Sequence, residues 1–506
     1  MGYVLVNASD PITAMMKNWS LFAEDTWKAW PRLTLTYGLR WEINTPPVSL
    51  TPGKPLYAIQ GIFDSQPFQL APAGTPFWQT RYNNIAPRLG AAYQLSSKTV
   101  LRGGFGLFYD LGYPGLLGEL IDGFPYTRDT FTLSAMGQPF SLSNPVFQPP
   151  PFTTSLTSAN TSLVAFDPHL QLPLTWHWNA AVERALGGAN QSLSLTYVGA
   201  DGQRLLRPDI VQPSATGSAV TATRNASYSH FDAFQLQFRR RMSRALQALI
   251  SYSLAKSSDL ESDDVGGNSN GAELDASKAA SLSQIQFPPL APSDFDIRNT
   301  VSGAISYEIP EAGSLGNIGR AVLKDWAVDG IVHASSSPPL NVRIRGISPT
   351  LGLYATQPDL VPGQAIWLTA PGQPGGKVLN PDAFTLPPEG ELGDFPRNSI
   401  RSPFGISQTD VALRRRFLLS ERLTLDVRAE YFNVFNHPMF GGPNSPFTLW
   451  GNCTSTPCKG QQFPTFGTVT QTLNEGLGGG GISGGQSAIY ALGGPRSGQF
   501  SLKVLF

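Results

Sequence analysis

The chain has 506 residues, with 36 Lys+Arg against 36 Asp+Glu and a formal net charge of zero. Charged residues make up 14% of the sequence, against roughly 25% in a typical soluble protein, and aromatic residues reach 11%. The zero balance excludes nucleic-acid binding through a basic surface as the main function, and no run approaches the ~18 apolar residues that a membrane-spanning helix needs. If the low charge reflects contact with lipid, a closed β-barrel is the other structure that satisfies its backbone in hydrocarbon.

Strict alternation of apolar and polar residues is the main secondary-structure signal. In segment 33–41 the odd positions are apolar, and the even positions are Thr34, Thr36, Gly38 and Arg40. The predicted strands are about 9 to 13 residues long, which suits a tilted membrane crossing, whereas soluble strands have a mode near 5 or 6. The pattern predicts about thirteen strands, near 18–28, 32–43, 83–95, 98–110, 173–186, 190–201, 228–240, 244–256, 296–309, 323–334, 407–419, 421–436 and 498–506.

The connections between these strands alternate between tight turns and long segments. Tight turns are predicted at 29–32, 96–98, 187–190, 241–244 and 420–422. Long segments are predicted at 44–82, 111–172, 202–227, 257–295, 335–406 and 437–496. Short periplasmic turns opposite long extracellular loops are typical of outer-membrane barrels. The sequence therefore predicts an all-β fold, an antiparallel transmembrane β-barrel.

The sequences at the two ends of the chain predict how this barrel would close. Phe500, Leu502, Val504 and Phe506 alternate with polar residues, and they predict a C-terminal strand that closes the barrel against its first strand. An odd number of strands cannot close an antiparallel barrel. No signal peptide is recognisable in residues 1–20. We therefore expect residues 1–506 to be the C-terminal portion of a larger barrel.

Several motifs resemble TonB-dependent outer-membrane transporters. The hairpin that follows Asn18 resembles a mid-barrel hairpin of that family. Asp294-Phe-Asp-Ile-Arg-Asn299, Arg428-Ala-Glu-Tyr-Phe-Asn-Val-Phe-Asn-His-Pro438 and Gly493-Gly-Pro-Arg496 before Phe506 are similar to its Oar-like subgroup. The resemblance implies a barrel of about 22 strands. It also implies a plug and an N-terminal regulatory-like domain, which with the signal peptide we expect to be absent from this sequence.

Parity along the strands predicts which side chains face the lumen and which face lipid. Polar-parity residues are expected to line the lumen, namely Arg40, Arg102, His177, Gln235, Gln237, Asp426, Arg428 and Glu430. Tryptophans near strand ends are expected in the interfacial girdles, namely Trp27, Trp30, Trp41, Trp176 and Trp326. Ordinary core packing in a soluble sheet is the alternative for these rings.

Three further groups of residues are candidates for cross-linking or binding. Cys453 and Cys458 are predicted to form a small loop disulfide. Asp259, Glu261 and Asp263 are a weak calcium-loop candidate, because they lack the Gly and closing Glu of a calcium loop, and a solvated acidic loop is favoured. The basic runs 239–241 and 414–416 lie at short turns, where they suit lipid headgroups or an anion site.

No enzyme signature has a supporting context. The Gly-rich stretch 476–485 contains literal matches to G-x-S-x-G and G-x-G-x-x-G without a strand-to-helix transition. We therefore predict no catalytic residue, no cofactor and no metal site.

From these patterns and the resemblance we expect a barrel in the outer membrane of a Gram-negative-type bacterium. The expected function is uptake or passage of a bulky solute such as a carbohydrate or peptide. A surface, adhesion or structural barrel without active transport is the alternative. The expected partners are outer-membrane lipid, the barrel-assembly machinery and, through the missing N-terminal region, a TonB-type protein.

Overall fold

The computed structural model describes most of the chain. The described residues are 3–64, 66–110, 124–133, 154, 156, 163–187, 190–211, 220–243, 245–260, 262, 281–284, 289–310, 324–348, 352–388, 391, 393–443, 448–449, 461–462, 465–470, 472–473 and 493–506. This part of the chain contains no helix with the length and hydropathy that a membrane-spanning helix requires.

One antiparallel sheet dominates the structure, and its thirteen main strands follow each other in chain order. They are β1 (Asn18–Trp30), β2 (Leu33–Asn44), β3 (Arg81–Ser96), β4 (Thr99–Tyr109), β5 (Leu174–Leu186), β6 (Gln191–Val211), β7 (Val220–Ser243), β8 (Leu246–Asp259), β9 (Asn299–Glu308), β10 (Trp326–Ser335), β11 (Ile406–Ser420), β12 (Leu423–Phe432) and β13 (Ser497–Leu505). The all-β fold and antiparallel arrangement predicted from the sequence are confirmed, and most strand ends lie within four residues of the prediction.

The third long segment was predicted wrongly in part. Residues 202–227 were expected to form a loop, but β6 continues to Val211 and β7 begins at Val220. A separate strand, Leu163–Phe166, pairs in parallel with the first residues of β7. This contact buries Val220 and Ala222 completely. The extended parts of β6 and β7 also pair with each other, from Leu206 opposite Asn225 to Val211 opposite Val220. Polar and apolar residues alike are buried there, so the extension lacks the alternation that predicted the other strands.

The sheet is open. Its path begins at β1 and ends at β13, and within the described residues these two edge strands pair only with β2 and β12. Both edge strands run from the long-loop side to the short-turn side, as the register of Asn18 with Asn44 and of Leu505 with Thr424 shows. The predicted pairing of the C-terminal strand with a first strand is not formed within this sheet.

Short strands and turns organise the long loops. Paired short strands are Tyr3–Ser9 with Thr127–Leu133, Ala14–Met15 with Val48–Ser49, Ile59–Gln60 with Gln69–Leu70, Pro339–Leu340 with Ile400–Arg401, Ile344–Ser348 with Gly352–Thr356, Asp359–Leu360 with Phe384–Thr385, Trp367–Thr369 with Lys377–Leu379, and Thr448–Leu449 with Gln461–Gln462. Ala291–Pro292 pairs with the end of β8. Short 3-10 helices span Leu282–Gln284, Pro374–Gly376 and Pro381–Ala383.

The main hydrophobic cores lie on the long-loop side of the sheet. One core combines Val342, Ile344, Leu379 and Phe384 from the segment between β10 and β11 with Phe466. A second packs Phe77, Trp78 and Phe166 among residues of the first two long loops. By contrast, large apolar side chains along the strands are exposed, including Leu236 at 42% and Phe234 at 54%. Such an exposed apolar surface is what lipid contact requires.

Candidate functional site

The sheet has one polar face and one apolar face. Residues paired directly across an antiparallel sheet point to the same side, and alternate residues along a strand do so as well. The polar face is defined by the residues reached when cross-strand pairs are followed from one strand to the next. The series begins with Arg40 opposite Ala86 and ends with Glu430 opposite Gln499. The opposite side, which carries Leu35, Leu195, Leu236 and Val427, is the apolar face.

All eight residues predicted to line a lumen lie on the polar face. Arg40 forms an ion pair with Glu42, and the Nη2 of Arg40 donates to the hydroxyl of Ser20 at 3.0 Å. The Nε of Arg102 lies 3.1 Å from a carboxylate oxygen of Glu183. Arg40 and Arg102 therefore each have a carboxylate partner, on the same strand or on the neighbouring one. The remaining predicted residues on this face are His177, Gln235, Gln237, Asp426, Arg428 and Glu430.

A network of charged side chains crosses β9 to β13 on the polar face. Asp329 of β10 lies 3.2 Å from the Nε of Arg414 on β11 and 3.5 Å from the Nη1 of Arg428 on β12. The Nε of Arg428 also lies 2.7 Å from Glu430. Ser306 of β9 donates to Asp329 at 2.6 Å, and the side-chain amide of Gln499 donates to Glu430. The network therefore ties five strands together through side chains.

Sequence reasoning found Arg428 and Glu430 but missed Asp329, Arg414 and Ser306. Asp329 is the single charged residue in β10, in a strand whose alternation is weak because Ile331 also lies on the polar face. Arg414 belongs to a basic run that the sequence could assign only to a short turn. The register between strands is what reveals the partners.

A stack of three side chains lies on the polar face of β3, β4 and β5. The guanidinium carbon of Arg88 lies 4.5 Å from the ring centre of Phe108. The ring centre of Phe108 is 4.9 Å from that of His177, in an edge-to-face arrangement. Gly106 allows this close packing, since an added Cβ would meet the Phe108 ring at 3.0 Å. His177 thus contacts an aromatic ring, and Phe108 is 37% exposed beside it.

The five predicted girdle tryptophans lie on the apolar face at two levels. Trp27, Trp30 and Trp326 are near the short turns, and Trp41 and Trp176 are near the long loops. Trp41 donates its indole N–H to the carbonyl of Tyr82 at 2.6 Å, and Trp176 stacks on Phe105 at 5.5 Å. From Leu33, opposite Trp30, to Trp41 the strand rises roughly 26 Å at ~3.3 Å per residue. This spacing is compatible with the ~25 Å apolar band of outer-membrane barrels.

Arginines fasten the segment between β10 and β11 to the segment between β8 and β9. Arg397 is ion-paired with Asp259, and its Nη2 also donates to the Asp259 carbonyl at 3.0 Å. Arg401 is ion-paired with Asp296 and donates to the carbonyl of Ser337 at 3.0 Å. We call these contacts the arginine latch. It engages the Asp294-to-Asn299 motif, for which the sequence suggested a resemblance but no contact.

The first two long loops pack through a half-buried tyrosine, Tyr126. The hydroxyl of Tyr126 donates to the carbonyl of Pro55 at 2.7 Å. Burial raises the pKa of Tyr126 to about 12, with further contributions from Tyr57 and Asp10. The phenol therefore keeps its proton and its hydrogen bond at pH values where an ordinary tyrosine would ionise.

Two predicted sites fall partly or wholly outside the described residues. Cys453 and Cys458 lie outside them, as does the Gly-rich stretch 476–485. Of the three residues of the calcium-loop candidate, Glu261 and Asp263 lie outside the described residues. The third, Asp259, forms an ion pair with Arg397. Within the described residues no group of three or more His, Cys, Asp or Glu side chains is placed to hold a metal ion.

The chain is similar to solved structures of outer-membrane transporters and receptors. The outer membrane transporter YddB from Escherichia coli aligns with a TM-score of 0.50 at 13% identity, over 97% of this chain and 45% of the transporter. The siderophore receptor PiuA from Acinetobacter baumannii aligns with a TM-score of 0.41 at 10% identity, over 98% of this chain and 44% of the receptor. The chain therefore spans less than half the length of these structures. No curated protein matches the chain.

The sheet, the segregation of its loops and its two faces define an outer-membrane β-barrel protein. The profile of the family described as an outer membrane beta barrel domain matches residues 5–476. The chain belongs to this family, and its location is the outer membrane of a Gram-negative-type bacterium. Its apolar face contacts membrane lipid.

Proposed function

We propose that the chain forms part of the wall of a TonB-dependent-receptor-like transporter for a bulky solute. The observation that carries this proposal is the continuous polar face, on which Asp329, Arg414, Arg428 and Glu430 are paired with one another. Paired charges suit a water-filled lumen, because ions at the lumen wall stay hydrated while the opposite face meets lipid. A carbohydrate or peptide would find hydrogen-bonding groups along this face, and the Oar-like resemblance of the motifs favours such a solute.

The directions of the two edge strands support the presence of further strands in the complete barrel. β1 and β13 both run towards the short-turn side, so neither can pair antiparallel with the other. An odd number of additional strands would close the wall with antiparallel pairs throughout. We propose that residues 1–506 are the C-terminal portion of such a barrel, and that strands, a plug and a TonB-contacting region come from elsewhere in the full protein. Insertion would then use the barrel-assembly machinery.

Catalysis is not part of this proposal. The polar-face residues form ion pairs within the wall, and His177 contacts Phe108 with no acid or nucleophile paired to it in the described part of the chain. The transporters and receptors that share the fold are named for transport and binding, which agrees with a non-enzymatic role. An adhesive or structural barrel would use the long loops without solute flux.

The proposal is tested by expressing residues 1–506 behind a signal peptide and comparing outer-membrane fractions with and without boiling before electrophoresis. We expect no heat-modifiable, protease-resistant band from this chain alone. Joining it to the upstream strands and plug of its full reading frame should restore the band and, with the energy-coupling protein, solute uptake. A heat-modifiable band from residues 1–506 alone would contradict the need for further strands. Loop-dependent binding without uptake by the complete barrel would favour the adhesive alternative.

A further inference from the structure

Two short turns carry three consecutive arginines, and their surroundings differ. At the turn between β11 and β12 every member of the run has a partner. Arg414 lies 3.2 Å from Asp329, and Arg416 lies 3.2 Å from Asp426. Arg415 places its guanidinium carbon 5.3 Å from the ring centre of Trp326 and 4.5 Å from that of Phe417. Each member of this run therefore contacts either a carboxylate or aromatic rings of the sheet.

The three arginines at the turn between β7 and β8 have no such partners among the described residues. None of Arg239, Arg240 and Arg241 has an ion pair with a described residue. The residues opposite Arg239 are Ser192 and Leu249, and those opposite Arg240 are Gln191 and Ala248. No carboxylate therefore stands across the sheet from these two cations.

A cleft of about 410 Å³ opens beside this run. All three arginines line it together with Gln237 and Gln247. Arg240 is half-buried, and its Nη2 donates to the carbonyl of Ser243 at 3.0 Å, which fixes the guanidinium in place. Its Nε is buried and has no hydrogen-bond partner among the described residues. Guanidinium donors fixed beside a cleft are a suitable recognition element for a phosphate.

We infer that this cleft binds a phosphate group on the short-turn side of the membrane, carried either by a phospholipid headgroup or by a soluble phosphate compound. By register Arg239, Gln237 and Gln247 belong to the polar face and Arg240 to the apolar face, so donors from both faces would contact the phosphate oxygens at this end of the hairpin. The lipid chains would extend along the apolar face, where Phe238 and Ile250 are neighbours. Arg240 projects from this same face, so one residue joins the headgroup site to the lipid-contacting surface.

The test is a calorimetric titration of the complete barrel, in which this chain is joined to the upstream strands of its full reading frame, in a zwitterionic detergent with dihexanoyl phosphatidylglycerol. We expect saturable binding that weakens about tenfold or more in R239Q/R240Q/R241Q, because charge-assisted hydrogen bonds are lost. The control K28Q/R32Q/R422Q removes three exposed cations at other short turns and should bind within about twofold of the unmodified chain. Equal binding by both triple variants would overturn the inference.

Two further arms identify the source of the phosphate and do not depend on a variant. Glycerol phosphate and inorganic phosphate are titrated under the same conditions. Binding of the lipid alone supports a membrane headgroup, whereas equal binding of glycerol phosphate supports the phosphate chemistry but assigns a soluble ligand. For the unmodified chain, raising the salt from about 0.1 M to about 1 M shortens the Debye length from ~10 Å to ~3 Å and should weaken binding. Salt-independent binding, or no binding of any phosphate compound, would overturn the inference.

Discussion

Arg397 and Asp259 lie 138 positions apart in sequence and form a buried ion pair on the long-loop side of the sheet. The side chains are 9% and 7% exposed, so both charges are largely removed from water. Ser262 and Asp294 also accept hydrogen bonds from Arg397, at 3.0 and 3.4 Å. The pair thereby joins two long segments that the sequence treats as separate loops.

Removing one partner of this pair should loosen the arginine latch. Arg397→Ala leaves the Asp259 carboxylate buried without its cation, a change that costs about 3 to 5 kcal/mol in comparable sites. We expect faster hydrogen exchange at Ile400 and Arg401, measured by mass spectrometry, with β11 unaffected. Lys54→Ala is the control, because its pair with Asp10 is more exposed, at 26% and 45%. Unchanged exchange in the Arg397 variant would exclude a role for the latch.

Removing a carboxylate at the centre of the charge network on the polar face should lower the free energy of unfolding more than removing one at its margin. Asp329→Asn removes the carboxylate shared by Arg414 and Arg428, and we expect a loss of about 1 to 3 kcal/mol in the free energy of unfolding. Asp426→Asn removes one pair with Arg416, whose side chain is 57% exposed, and should cost less than about 1 kcal/mol. Urea titration of both variants gives the comparison. Equal losses would show that Asp329 has no special role.

Neighbouring residues on β7 should respond oppositely to the same substitution. Leu236→Arg places a cation on the apolar face and should destabilise the inserted chain by about 2 to 4 kcal/mol. Gln237→Arg places it on the polar face and should cost almost nothing. The measurement is the fraction of the complete barrel that folds into lipid vesicles when it carries each substitution. Similar folded fractions would contradict the assignment of the two faces.

The hydrophobic core of the segment between β10 and β11 should unfold without unfolding of the thirteen-stranded sheet. Ile344 is fully buried in this core, and Ile344→Ala should cost the core about 2 to 5 kcal/mol. We expect earlier proteolysis between β10 and β11 while the sheet signal in circular dichroism stays unchanged. Leu360→Ala, at a residue that is 36% exposed, is the control. Loss of the sheet signal in the Ile344 variant would show that the core and the wall fold as one unit.

The sequence predicted the wall well because alternation is a local signal. In β12 each residue from Leu423 to Tyr431 obeys it, since one face of the strand is polar and the other apolar along its whole length. The network around Asp329 was missed because it depends on register between strands. The latch was missed because Arg397 and Asp259 have no local pattern that links them. The extension of β6 and β7 was missed because its polar residues, such as Asp209 and Thr223, are buried as well as its apolar ones, so alternation is absent there.

The central claim is that one face of this sheet meets lipid and the other meets water, and β8 allows the most direct test. Single cysteines are placed at Ile250, Ser251, Tyr252 and Ser253 of the complete barrel, with Cys453 and Cys458 changed to Ser. A membrane-impermeant maleimide should label positions 251 and 253, whose side chains lie on the polar face, and should leave 250 and 252 unlabelled. Labelling without alternation, or labelling of 250 and 252 alone, would contradict the account.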